Sequence, residues 1–459
     1  MTVNIQSDAP SDHTLPVAVI GGGFTGTLVA VNLLRNGVDV VLIERSEPQL
    51  GRGLAFGTPR AEHLLNVRAA NMGAFPDDPR HFLKWMNPAD EDEANRFVPR
   101  RLYGAYLRDL LDEAAARHSP RLRIVRGEAC DVRFTDCDVA VTMTDGSTEK
   151  ARSLVLALGN FPPVAHPALS ALPPALYTRD PWQAGALEGI DKLDHVLLVG
   201  TGLTAADMVL SLDNAGFKGR ITLLSRRGLR PHAHAELGPA VSPVPEPQAR
   251  GSALLHAVRA RAKEVDWRAA VDELRPFTQN LWRRHDVAAQ RRFLRHLRPY
   301  WDIHRHRLAP QVARRLHELE NEGRLIYAAG KLAGSAEGDG QAHISYRPRG
   351  ETDLHEITVD RVLNCAGPDS DVTQCAVPIV RTLLTQGLLR PDTHRLGIDI
   401  DQLGRVRDAG GRVNPRLFAA GPPTKGEAWE IIAVPDIRRQ AWDIARYLAD
   451  AHWVGGEGL

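Results

Sequence analysis

The sequence predicts an α/β protein made of two strand–turn–helix–strand units, the first interrupted by the second, with a basic helical segment added. Three observations carry this reading. A glycine-rich turn between an apolar strand and a helix occurs near residue 21 and again near residue 200. Short apolar runs alternate with helical periodicity around each turn. The stretch 250–317 holds sixteen Lys or Arg against six Asp or Glu, leaving a net −9 on the rest of the chain.

Composition bounds the answer. With 459 residues, 43% apolar and 25% charged, the chain reads as globular, with room for roughly three units of about 150 residues. Four cysteines (Cys130, Cys137, Cys365 and Cys375), none in CxxC spacing, exclude a disulfide scaffold and a Cys-rich zinc module. No apolar run nears the ~18 residues that cross a membrane. The opening MTVNIQSDAPSDH lacks the basic start and apolar core of a signal peptide. The expectation is a soluble cytoplasmic protein without a membrane partner.

The first unit is LPVAVIGGGFTGTLVAVNLLRNGVDVVLIER. Residues 17–20 are a buried strand, 25–35 a helix ended by Asn36-Gly37, and 38–43 a second strand. In this context GxGxxG has a mechanical meaning. Gly21 permits the tight turn, Gly23 lets the backbone approach a pyrophosphate, and Gly26 lets helix and strand pack closely. The helix N-terminus offers free N–H groups to phosphate. Glu44, followed by Arg45, stands where a carboxylate accepts hydrogen bonds from both hydroxyls of an adenosine ribose.

The second unit is HVLLVGTGLTAADMVLSLDNAGFKGRITLLSRRG. Its turn reads Gly200-Thr201-Gly202-Leu203-Thr204-Ala205, and Ser225 replaces the acid, followed by Arg226 and Arg227. A carboxylate there would repel a 2′-phosphate, whereas guanidinium groups grip it at two points. The rival reading of the arginines is a solvated charge pair. The first site therefore wants a nucleotide with a free 2′-hydroxyl and the second wants NADPH. Since a hydride from NADPH needs an acceptor nearby, FAD is the economical occupant of the first.

Several further runs carry a resemblance: HLLNVRAANMGAFPDDPRHFLKW (63–85), FVPRRLYGAYL (97–107), GTGLTAAD, LSRRG, RPYWDIHRHR (298–307), NCAGP (364–368) and GEAWEIIAVPDIRRQA (426–441). Together they resemble the YdhS-like FAD/NAD(P)-binding proteins, within the two-dinucleotide-binding flavoproteins. Arg68 departs from an expected proline. The resemblance implies a discontinuous FAD domain with an inserted NADPH domain, bounded as 1–185, 186–358 (helical segment about 250–320) and 359–459. It makes ALGN, with Gly159, the crossover out of the first domain, and NCAGP, with Gly367, the return. LFAAGP, with Gly421, would be the strand reaching the flavin's ribityl chain, although Pro422 stands where many relatives have Asp. A helix from about Ala428 would aim its N-terminus at the isoalloxazine. By position, Asn66, Arg100 and Tyr103 are flavin-side contacts or plain structural residues.

No catalytic residue is assigned. Disulfide reduction needs a cysteine pair beside the flavin, and the first cysteine is Cys130. Hydroxylation by reduced flavin and oxygen needs no protein nucleophile. The linker GNFPPVAHPALSALPPALYTRDPW does not meet the FxGxxxHxxxW spacing of Baeyer-Villiger enzymes, so N-hydroxylating flavoenzymes are the nearer analogy. The reading is an NADPH-dependent flavin monooxygenase of a small polar or anionic metabolite. Rivals are a reductase or dehydrogenase passing electrons elsewhere, and a nucleotide-sensing regulator. For the basic segment, a solvated helical cap competes with anion binding by some of Arg275, Arg295, Arg305 and Arg307, and nucleic acid is the outsider. His232/His234 and His304/His306, two apart, do not make the i, i+4 pair of a zinc helix, so no metal is expected; His304 or His306 is instead a candidate phosphate contact or proton relay.

Overall fold

The computed structural model describes residues 14–236 and 243–451. The first sheet has six strands in the order Arg405–Arg407, Val413–Ala419, Ser153–Leu156, Val17–Ile20, Val40–Glu44 and Leu122–Arg126. All pairings are parallel except that of the Arg405–Arg407 edge. Parallel strands are buried on both faces, and the sequence shows it. Val17 and Val19 face the helices Phe24–Arg35 and Val434–Leu448, while Ala18 and Ile20 face a second core. That core is closed by an antiparallel meander (Ala129–Phe134, Val139–Met143, Thr148–Ala151) and the helix Pro378–Thr385.

The second sheet has seven strands in the order His355–Val359, Gln341–Pro348, Leu325–Gly338, Arg220–Ser225, His195–Val199, Arg361–Asn364 and Tyr177–Thr178. Two of these correct the expected boundaries. The sequence boundaries place Tyr177–Thr178 and Arg361–Asn364 in the first domain, yet both pair in the second sheet. The reason is hydrogen bonding: a run such as RVLNC satisfies its backbone against His195–Val199, and apolar periodicity does not say which sheet a strand joins.

Residues 251–305 form short helices, from Gly251–Arg261 to Arg298–Arg305. This segment touches the second unit, where the His232 N–H donates to the Ile303 carbonyl at 3.0 Å and Arg268 donates to the Ala233 carbonyl at 2.9 Å, and it also docks on the return part of the first. Trp282 stacks on Trp429 with ring centres 4.9 Å apart and donates its indole N–H to the Gly426 carbonyl at 2.8 Å. Arg283 pairs with Glu427 at 2.8 Å. The aromatic residues, apolar anchors in the sequence, decide the docking face. The expected helix from about Ala428 begins instead at Val434. Residues 428–433 form turns, and Pro435 takes a first-turn position where its missing N–H costs nothing.

Among the described residues, no helix is long and apolar enough to cross a membrane.

Candidate functional site

At the first turn, glycine is a packing requirement. Gly21 has φ +99, and a Cβ at Gly26 would lie 1.8 Å from the Gly21 carbonyl oxygen. Gly23 caps the helix Phe24–Arg35, whose first-turn N–H groups lack intrahelical partners. Glu44 is buried. One carboxylate oxygen accepts from the Gly22 N–H (2.7 Å) and the other from the Ser46 N–H (2.8 Å). Each oxygen keeps a second lone pair, so the carboxylate that orders the turn can still receive ribose hydroxyls. Gly421 (φ +78) abuts this end of the helix, where a Cβ would meet Thr25 Oγ1 at 2.6 Å. These residues fit an adenine dinucleotide: Gly21–Gly26 and Glu44 would hold its pyrophosphate and ribose.

The second turn repeats the geometry with a looser fit. Gly200 has φ +122 and backs onto the Cys365 carbonyl, and Ala205 is accommodated in the core. A Cβ at Gly202 would meet nothing within 4 Å. Ser225 Oγ accepts from the Gly228 N–H at 3.0 Å, which shapes the loop carrying the two arginines. Arg227 donates to the Arg295 carbonyl at 3.1 Å, whereas the exposed Arg226 makes no hydrogen bond or ion pair among the described residues. Its guanidinium is available to phosphate.

A cleft of about 940 Å³ joins the units. Of the candidates, Asn66, Arg100, Gly159, Gly202, Ser225, Arg226, Arg227 and Gly367 line it. Gly21, Gly23, Gly26, Glu44, Gly200, Ala205 and Gly421 do not. In front of the first turn stands Gly53, whose Cα lies 3.0 Å from where a Gly23 Cβ would be. Two positional candidates are placed elsewhere. Arg45 turns away to pair with Glu128 at 2.8 Å. Tyr103 is fully buried among Phe24, Phe56, Phe82 and Tyr106, because the helix Arg100–Arg117 turns that face inward. Burial pushes its hydroxyl pKa up. Arg100 reaches the cleft but is committed to Asp207 at 2.7 Å.

The sequence reading missed Glu430. It is 2% exposed and holds φ +72, a left-handed conformation costing an L-residue about 1–2 kcal/mol. Trp301 Nε1 donates to its Oε1 at 2.9 Å, His306 Nε2 stands 3.6 Å from the same oxygen, and Arg305 Nε lies 3.5 Å from Oε2. Burial opposes its ionisation, but His306, Arg305 and the Trp301 N–H outweigh burial and hold the carboxyl well below the usual carboxylate range. A signal was present. Two of the runs behind the resemblance, 298–307 and 426–441, converge here.

His306, Arg305 and Asp302 line the cleft beside this group. Asp302, His306 and Glu430 present ligand atoms within 4.8 Å of one another, yet Arg298, Arg305 and Lys425 share the space, a field that opposes a cation. The arrangement sets the His306 imidazole beside a fixed carboxylate at the cleft. Of the other arginines considered, Arg295 lines the cleft. Arg307 is 1% exposed and locked to Asp272 by two hydrogen bonds, a structural role.

Residues 18–161 match the FAD-NAD(P)-binding family model. The protein YdhS of Escherichia coli (strain K12) is 25% identical over 260 residues, covering 47% of this chain and 46% of YdhS. The dual trans-enoyl reductase/FAD-dependent monooxygenase tazHJ of Aspergillus terreus is 30% identical over 189 residues, 35% of this chain and 26% of that protein. Both matches thus span less than half of the relative. Among solved structures, the reduced ornithine hydroxylase PvdA of Pseudomonas aeruginosa superposes with TM-score 0.65 over 95% of this chain and 99% of its own, at 13% identity. Residues 18–161 thus match an FAD-NAD(P)-binding domain, and the chain shares its fold with the solved ornithine hydroxylase.

Proposed function

We propose that the protein is an NADPH-dependent FAD oxidoreductase that hydroxylates a small polar or anionic metabolite with molecular oxygen. One observation carries the reading: a single cleft has Asn66 and Gly159 of the first unit on one side and the Gly202, Ser225, Arg226 and Arg227 loops of the second on the other. A flavin held by Gly21–Gly26 and Glu44 would supply hydride acceptance and, when reduced, oxygen chemistry. The protein's own residues do the rest. Gly202 admits the NADPH pyrophosphate, and Arg226 and Arg227 grip the 2′-phosphate. His306 stands beside Glu430 at the cleft, where its imidazole can relay a proton. The monooxygenase activity named for tazHJ and the hydroxylase named for PvdA support the oxygenating reading over simple electron transfer. The buried, separate cysteines Cys365 and Cys375 offer no redox pair, which disfavours disulfide reduction.

The test is an anaerobic NADPH titration of FAD-loaded protein followed by absorbance, then admission of labelled oxygen with candidate amines, thiols and ketones. Loss of the oxidised-flavin absorbance and label in a product support the reading. Flavin reduction with no labelled product from any candidate would favour a reductase. Tight NADPH binding without reduction would favour a nucleotide sensor.

A further inference from the structure

Two cations at the floor of the cleft lack the acceptors that buried charges require. Arg305 is 8% exposed and lines the cleft. Its Nε and Nη2, both closed off from solvent, have no hydrogen-bond partner, and Glu430 Oε2, 3.5 Å from Nε, forms no hydrogen bond either. Lys425 lines the same cleft. Its ammonium lies 4.9 Å from the centre of the Trp429 ring and makes no hydrogen bond or ion pair among the described residues. Burial, and after it Arg298, pushes its pKa down.

The neighbouring carboxylates do not make up the difference. Glu430 is held by Trp301 and His306, and Asp302 faces Arg298 at 3.4 Å. Asp436 is shared in charge between Arg275 and Arg305. Arg438 also acts on Asp436, and Asp272 beside Arg275 is taken by Arg307, so the cations here outnumber the carboxylates Asp302, Glu430 and Asp436. Unpaired buried charge is costly, and a site that tolerates it is completed by a ligand of opposite sign.

We infer that Arg305 and Lys425 are the substrate anchor of this cleft and that they take a small carboxylate. The excess of positive charge favours an anion, and the three nearby carboxylates favour a singly charged carboxylate over a dianion such as phosphate. Arg305 Nε and Nη2 are closed off from the cleft, so a carboxylate would be met by the rest of the guanidinium and by the Lys425 ammonium. The inference rests on the function proposed above and specifies its substrate class: one end a carboxylate held at the floor, the reacting end directed up the cleft.

The test uses FAD-loaded protein without NADPH. Propionate, glutarate, propionamide and inorganic phosphate are titrated in turn, read by flavin absorbance and by tryptophan fluorescence, Trp429 lying under Lys425. Saturable binding of the two carboxylates is expected, with the amide and phosphate much weaker. Arg305→Gln and Lys425→Met should each weaken carboxylate binding by about tenfold or more. Because the Lys425 ammonium makes no hydrogen bond, Lys425→Met keeps the fold and decides the matter if Arg305→Gln does not fold. The inference is overturned if carboxylates give no saturable change, if propionamide or phosphate binds as tightly, or if Lys425→Met leaves the affinity unchanged. It is equally overturned if the variants lose flavin while the flavin-loaded fraction binds carboxylate normally. Failure is separable from that of the proposed function. Flavin reduction by NADPH without carboxylate binding removes the anchor alone, and carboxylate binding without reduction removes the redox reading alone.

Discussion

Arg100, at the start of a first-unit helix, pairs at 2.7 Å with Asp207, on the helix that follows the second glycine turn. The two side chains are 17% and 10% exposed, so the units are joined by a charge pair largely removed from water. His63 adds a second tie beside it, hydrogen-bonded at 2.7 Å to Ser211 of the same helix.

Arg100→Met should destabilise the protein by roughly 3 kcal/mol, because it strands the carboxylate of a buried pair. Burial already raises the Asp207 pKa, against Arg100 and His63, which lower it. A raised carboxyl pKa gives stability that is present below the unfolded value and lost as pH rises through the folded one. Removing Arg100 raises the pKa further. The deficit should therefore be largest near neutrality and shrink on acidification, as chemical denaturation across a pH series would show. A deficit independent of pH would contradict this.

Glu430 has the opposite sign. Its carboxyl is held below the unfolded value of 4.5 by His306, Arg305 and Trp301 in spite of burial. Its charge contributes stability that is present above that value and lost as pH falls through the folded pKa. Glu430→Gln should cost about 2–4 kcal/mol at neutral pH, and thermal melts of the two proteins should converge as pH drops below 4.5.

The two glycine turns make a paired prediction. Gly26→Ala puts a methyl group 1.8 Å from the Gly21 oxygen and should cost more than about 1–3 kcal/mol, yielding protein without flavin. Gly202→Ala enters open space at φ −85, so stability should change by less than about 0.5 kcal/mol. NADPH binding should nevertheless weaken by about tenfold (about 1.4 kcal/mol), since the methyl group occupies the approach of the pyrophosphate. Flavin content and fluorescence titration measure the two effects separately.

Arg226→Glu should lower the preference for NADPH over NADH by about ten- to a hundredfold, the range for a lost charge-assisted hydrogen bond. Steady-state kinetics with both nucleotides measure it. An unchanged ratio would return Arg226 to the role of a solvated surface charge.

The features that repeat locally are legible in the chain: both glycine turns, their flanking strands and helices, and the exchange of Glu44 for Ser225-Arg226-Arg227. Each is set within about 30 residues by backbone sterics and apolar periodicity, which a single chain displays directly. Only the packed chain shows which sheet takes Tyr177–Thr178 and Arg361–Asn364, and that the basic helices bridge the second unit and the return part of the first, the latter through Trp282 and Trp429. It also shows that Tyr103 is core, since position along a helix does not reveal which face turns inward until its neighbours are known. The cluster of Trp301, Arg305, His306 and Glu430 brings together groups more than 120 residues apart, through a backbone conformation that a glutamate does not advertise. Local stereochemistry encodes the nucleotide turns, whereas long-range burial assembles the charged floor between them.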